Sequence, residues 1–362
     1  MPKTAHVVNA MLHPWEEPPI SEGVGAGAIF FAGCNLKCVF CQNYEISQPK
    51  PRRGTPLSVP QLVELFWRLE RQGACCIDLV SPTLYLMTLR DALREAKKQH
   101  FPLPFVWNTN AYENPAGLEL LEGLVDVYLP DFKYVDNYLA EKYSDAPNYY
   151  GIATAAILEM QRQVGRFTGS GVTAHGLLIR HLVLPGCRND SMKVLDWIHR
   201  NIPGSTISIM RQYVPMYRAG EFPEINRRIT SCESDSVCKH WLDLGERCGY
   251  VQEQGCADCG YTPDFTRAFK DYCPVHWKDG DDSLDIQIPK DPPGISYTVP
   301  GAPRMDTTPY TTAAQTPAAP AAEPAVPYTW GTEGNPYGWS TPSPAAPLPA
   351  EAGYDGTYGV AF

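Results

Sequence analysis

Short apolar runs rich in β-branched and aromatic residues alternate with stretches of helical periodicity through the first 250 or so residues, and few folds accept that alternation. GAIFFAG (27–33), CCIDLVS (75–81), PFVWNTN (104–110), VDVYLPD (125–131), LLIRHLVLP (177–185) and STISIMRQYV (205–214) read as strands. The segment at 60–73 opens on Pro at its first turn and closes on Gly, as a helix should. Further helices are expected at 84–100, 115–122, 134–143, 149–165, 190–200 and 232–247. Strands separated by helices pair in parallel through crossovers, so six of them predict an α/β fold, a partial (β/α)6 barrel of the TIM type. Chemistry in such a fold belongs at the carboxyl ends of the strands.

The barrel is expected to occupy residues 1–255, followed by a cysteine-containing extension at 256–290. From Asp291 the sequence is rich in Pro, Ala, Thr and Gly, with Arg304 its one basic residue. Such a segment buries too little apolar surface to offset its ordering entropy, which predicts a disordered tail over 291–362. The formal net charge is −10 and no Lys/Arg cluster occurs, which excludes a phosphate-gripping nucleic-acid binder. No apolar run nears the ~20 residues that cross a bilayer. The opening MPKTAHVVNAMLHPW also lacks an apolar signal core, so a cytoplasmic protein is expected. In a reducing compartment the 12 cysteines are ligands, redox groups or buried thiols rather than a disulfide framework.

Three of them form a spacing that decides the matter. GCNLKCVFCQNY (33–44) ends the first expected strand and places Cys34, Cys38 and Cys41 in a C-x3-C-x2-C pattern. Zinc favours four ligands in structural sites, and neither His13 upstream nor His100 downstream is near enough in sequence to complete a set. Iron–sulfur clusters usually take four cysteines, so three imply a remote fourth ligand or an iron left open to a small molecule.

The same motif, with Phe40 just before its last cysteine, resembles the signature of the radical S-adenosylmethionine superfamily. More narrowly, EEPPISEGVGAGAIFFAGCNLKCVFCQNYEIS (16–47) resembles a branch of uncharacterised proteins related to the pyruvate formate-lyase activating enzyme, a similarity running from about Glu16 to Glu253. The resemblance implies a [4Fe-4S] cluster on the three cysteines and S-adenosylmethionine (SAM) chelated to the fourth iron. It also implies an electron donor such as a flavodoxin or ferredoxin, and a glycyl radical enzyme as a possible target. A non-catalytic iron–sulfur or metal-binding protein is the alternative.

The resemblance also implies where the cofactor is held. Related activating enzymes carry a GGE-type turn for the methionine amino group; here VSPT (80–83) stands in that place, offering Ser81 and Thr83, which are equally suited to a turn and a helix cap. WNTN (107–110) supplies Thr109 and Asn110 at the third strand end. LPDFKY (129–134) resembles a D-x-K element; Asp131 and Lys133, two apart in extended chain, share a face. In IRHLVLPG (179–186), Arg180 suits the methionine carboxylate, and His181 faces the other way as a structural residue. Gln212 and Tyr213 are expected as pocket walls.

Cys248, Cys256, Cys259 and Cys273 follow no defined ligand spacing, and both structural thiols and a second metal site stay open for them. Cys75, Cys76 and Cys187 read as core or turn residues. Relatives in this branch often carry a longer amino-terminal segment, so a dispensable segment, a partner in its role and a truncated gene product all remain open.

Overall fold

Every one of the six expected strands lies in a single sheet of the computed structural model, which describes residues 4–252, except 15, 23, 49–53 and 247, together with Tyr297–Thr298. In chain order the strands are β1 (Thr4–His13), β2 (Ala26–Phe31), β3 (Thr55–Ser58), β4 (Ile77–Val80), β5 (Phe105–Thr109), β6 (Val127–Pro130), β7 (Gly176–Leu182), β8 (Thr206–Met210), β9 (Gly249–Gln252) and β10 (Tyr297–Thr298). Their order across the sheet is β10-β9-β8-β7-β6-β5-β4-β2-β1-β3. The run from β2 to β9 is parallel throughout, as expected of a partial barrel of the TIM type.

The sheet is wider than the sequence pattern suggests. β9 adds a seventh parallel strand, β1 pairs antiparallel with β2, β3 pairs antiparallel with β1, and β10 pairs antiparallel with β9. Each additional strand lacks a clear signal. β1 changes register between Val7 and Asn9, which breaks its alternation; β3 and β9 have four residues each; and β3 holds Pro56, which only an edge strand tolerates. The extension at 256–290 lies outside the described residues, as does the tail at 291–362 apart from β10.

Helices Val59–Arg71 and Leu86–Lys98 cover one face of the sheet. The first is fixed at its start by a capping box in which Ser58 and Gln61 exchange hydrogen bonds, with Pro60 in the first turn. It buries Leu62, Leu65, Phe66 and Leu69; the second buries Leu89, Ala92, Leu93 and Ala96. Helices Tyr149–Val164 and Arg188–Asn201 continue that outer layer. Two-residue alternation then sorts each strand: Phe105, Trp107, Tyr128, Leu177 and Ile179 pack outward with the helices, while Val106, Val127, Leu129 and Leu178 form a second apolar cluster inward. Ile20, fully buried, closes that cluster from the short helix Pro18–Ser21. Two residues farther along the same inward faces the chemistry turns polar: Asn108 follows Val106, Asp131 follows Leu129 and Arg180 follows Leu178. At the base of β7, Gly176 has φ +115°, and a Cβ there would stand 2.3 Å from the Arg166 carbonyl oxygen, so no side chain fits.

Candidate active site

The cysteine loop leaves β2 through Gly33 and is held by main-chain bonds from outside itself. Lys37 and Val39 amides donate to the Ser144 and Tyr143 carbonyls at 2.9 and 2.8 Å, and the Val39 carbonyl accepts from the Arg218 amide at 2.8 Å. Leu36, Val39 and Phe40 are buried, with the Phe40 ring meeting the Tyr213 ring edge-on at 5.7 Å. The loop is therefore clamped between helix Asn137–Ser144 and the segment after β8.

Each sulfur in the loop has its own hydrogen-bond partner. The Asn110 amide lies 3.3 Å from Cys34 Sγ, the Ser144 hydroxyl 3.1 Å from Cys38 Sγ, and the Ser47 hydroxyl 3.3 Å from Cys41 Sγ. Burial pushes all three thiols up, Cys41 to about 12, and the neighbouring sulfurs add to the rise at Cys34 and Cys41. Three mutually repelling thiolates in one loop call for a strongly positive partner. Among the described residues no three His, Cys, Asp or Glu side chains stand close enough to share a single metal ion. A cluster asks instead that each thiolate hold a different iron, and the donor set suits that group, with hydrogen bonds to its sulfurs setting potential.

The three cysteines line a cleft of about 260 Å³ that reaches inward to Arg180 and to Glu16 and Glu17. Arg180 is its hub. Nε bonds Asp131 Oδ1 at 2.8 Å, Nη1 bonds Glu16 Oε1 at 2.8 Å and Nη2 bonds Asn108 Oδ1 at 2.6 Å. Lys133 Nζ donates to the other Asp131 oxygen at 2.8 Å. Burial works against the Asp131 charge, yet the two cations beside it hold its carboxyl below the usual carboxylate range. Asp78, fully buried and 3.2 Å from Asn108, is pushed well up, by burial first and then by the Glu16 charge.

A sequence model of the radical SAM superfamily matches residues 28–210, slightly more than half of the chain, covering the cysteine loop and the strands that carry this hub. The chain belongs to the radical SAM superfamily. It is 33% identical over 255 residues to the uncharacterized protein MJ0674 of Methanocaldococcus jannaschii, covering 68% of each chain. Among solved structures it is similar to Streptococcus suis SuiB bound to S-adenosylmethionine, at 11% identity and TM-score 0.43 over 62% of this chain and 49% of SuiB. It is likewise similar to a domain of a pyruvate-formate lyase-activating enzyme from Bacteroides vulgatus, at 12% identity and TM-score 0.37, over 49% of this chain and 99% of that one. The chain thus spans about half the length of SuiB. Radical SAM proteins use a [4Fe-4S] cluster and SAM, and these are the cofactors of this chain.

Of the expected cofactor contacts, Ser81, Thr109, Asn110, Asp131, Lys133 and Arg180 line the radical SAM cleft, as do Gln212 and Tyr213. Ser81 adopts φ +58°, a left-handed turn that glycine ordinarily supplies, and its amide donates to the Asn108 carbonyl at 2.9 Å. Thr83 is not brought to the cleft: its hydroxyl donates to the buried Glu113 at 2.8 Å, where the Thr109 hydroxyl at 2.7 Å and the Trp107 indole at 3.1 Å also converge. No side-chain cap forms at the turn Thr83–Tyr85. His181 faces away from the cleft, its Nδ1 2.7 Å from the Phe132 carbonyl, and burial pushes its pKa down to about 4. Glu16 and Glu17 open the EEPPIS stretch and Asn108 lies within WNTN, yet none of the three is singled out there as a site residue; for Asp78 a charge within CCIDLVS was a signal, because strands buried on both faces are otherwise apolar. Cys75 and Cys76 are buried, and Cys75 Sγ lies 3.1 Å from the Ile20 carbonyl. Cys256, Cys259 and Cys273 lie outside the described residues. No helix among the described residues is long and apolar enough to cross a membrane.

Proposed function

We propose that this chain cleaves SAM reductively at a cluster on Cys34, Cys38 and Cys41 and acts as a radical enzyme of the activating-enzyme type. The observation that carries the reading is that the three thiols, Asp131, Lys133 and Arg180 all line one cleft. Held by the three cysteines, the cluster would supply one electron to the sulfonium, so that cleavage of the C5'–S bond would give methionine and a 5'-deoxyadenosyl radical able to take hydrogen from a substrate. The residues themselves bind, orient and exclude water. Lys133 spends one N–H on Asp131 and keeps two for the methionine carboxylate. Ser81 opens the turn where the methionine amino group is received, and Asn110 bridges the cofactor end of β5 to the Cys34 sulfur. Buried Leu36, Val39 and Phe40 keep bulk water from the sulfurs.

The electron comes in this reading from a flavodoxin- or ferredoxin-type donor, and the target class is a glycyl radical enzyme. The test is anaerobic reconstitution with iron and sulfide, then SAM and dithionite. Wild type is expected to release 5'-deoxyadenosine and Cys38→Ala to release none. Absence of 5'-deoxyadenosine from cluster-loaded wild type refutes the reading and leaves a non-catalytic iron–sulfur protein.

A further inference from the structure

The cleft has a floor that the cofactor contacts leave unused. It is built by the Glu16–Ser21 segment, whose first turn fixes Glu17 through bonds from the Ile20 and Ser21 amides to its carbonyl at 2.7 and 3.0 Å. Glu17 lines the cleft, is 3% exposed, and its Oε2 is buried without a hydrogen-bond partner. We propose that this floor is a subsite for a protonated amine of the substrate, with Glu17 as the acceptor.

The charges around Glu17 favour that ligand over others. Both wall cations are engaged: Arg180 with Glu16, Asp131 and Asn108, and Lys133 with Asp131. Glu17 is thus a third carboxyl in the cleft beside two satisfied ones, and its Oε2 has no donor at hydrogen-bond distance, although the Ser208 hydroxyl is a neighbour that favours its charged form. Burial raises its pKa to about 7, Arg180 pulling the other way and Glu16 adding to the rise. His13, on the same cleft, is kept neutral chiefly by burial, and its buried Nδ1 also lacks a partner. A protonated amine brings both missing quantities, hydrogen-bond donors and one positive charge. An alcohol brings a donor without the charge. A carboxylate brings no hydrogen-bond donor for Glu17 and adds a like charge beside it. The subsite rests on the radical SAM reading above, which places substrate and cofactor in one cleft.

The test uses the full chain, cluster-loaded and saturated with SAM, and calorimetric titration with n-butylammonium, 1-butanol and butyrate. Wild type is expected to bind n-butylammonium at least about tenfold tighter than the other two, the ratio that one charge-assisted hydrogen bond supplies. Glu17→Gln is expected to bring the three within about threefold of each other. Equal binding of amine and alcohol by wild type overturns the subsite, and needs no variant to fold. Selectivity that survives Glu17→Gln, or amine binding that displaces SAM, overturns it as well. 5'-Deoxyadenosine release from the same wild-type preparation reports separately on the radical reading: product without amine selectivity removes the subsite alone, and no product removes the reading on which it rests.

Discussion

Replacing Arg180 with Met removes a group that ties β7 to β5, to Asp131 after β6 and to the amino-terminal segment at once. The guanidinium side chain is 14% exposed and bonds Glu16, Asp131 and Asn108 within 2.8 Å. Methionine fills much of the volume but leaves Glu16 with longer contacts from the Glu17 and Asn108 amides, at 3.2 and 3.4 Å, and leaves the Asp131 carboxylate to Lys133. Breaking a buried pair from one side costs about 3–5 kcal/mol, because a desolvated charge is left behind. For a domain of this size that corresponds to a fall in Tm of roughly 10 °C. Urea denaturation of the apo-protein measures it without reference to the cofactors. Adding Glu16→Gln takes away one of the stranded carboxylates, so the double variant is expected to recover about 1–2 kcal/mol relative to additivity. A loss below about 1 kcal/mol for Arg180→Met, or strict additivity with Glu16→Gln, would refute the hub.

Other expectations are independent of that one. Glu17 titrates near 7 when folded against 4.5 when unfolded, so the stability it contributes is complete below about pH 4.5 and is lost as pH rises through about 7. The wild type minus Glu17→Gln stability difference should fall by about 3 kcal/mol across that window. His181 runs the opposite way, with a folded pKa of about 4 against 6.5. Its contribution is complete above about pH 6.5 and disappears as pH falls through about 4, so a stability difference from His181→Asn that is flat over pH 4–6.5 would sink the assignment. Ser81→Gly relieves a left-handed serine and should raise stability by about 0.5–1 kcal/mol in the same urea assay.

Much of this architecture was legible because its signals are local. Six parallel strands announce themselves as short apolar runs, the cysteine loop by spacing within eight residues, and Asp131 with Lys133 by the two-residue alternation of extended chain. What was not legible is held together by distance in sequence. Arg180 and Glu16 are 164 residues apart, and nothing periodic marks either as the partner of the other. Thr83 carries the residue type expected at a cofactor turn, but its hydroxyl is drawn to Glu113 30 residues later, a competitor that no local pattern shows. β1, β3 and β9 escaped because broken alternation, an edge proline and four-residue length each erase the strand signal.

The floor and the far wall of the cleft come from opposite parts of the chain: Glu16 and Glu17 are translated early, Gln252 late, and the cysteine loop soon after the first pair. At about 5–20 residues per second, roughly 10–40 s separate the emergence of Cys41 from that of Gln252. During that interval the three cysteines, of which the finished protein buries Cys38 and half-buries Cys34 and Cys41, stand beside an unfinished sheet. The order of synthesis therefore sets when iron is best delivered: after the segment carrying Arg218 has closed on the loop, when the loop is clamped and the sulfurs already have their hydrogen-bond partners.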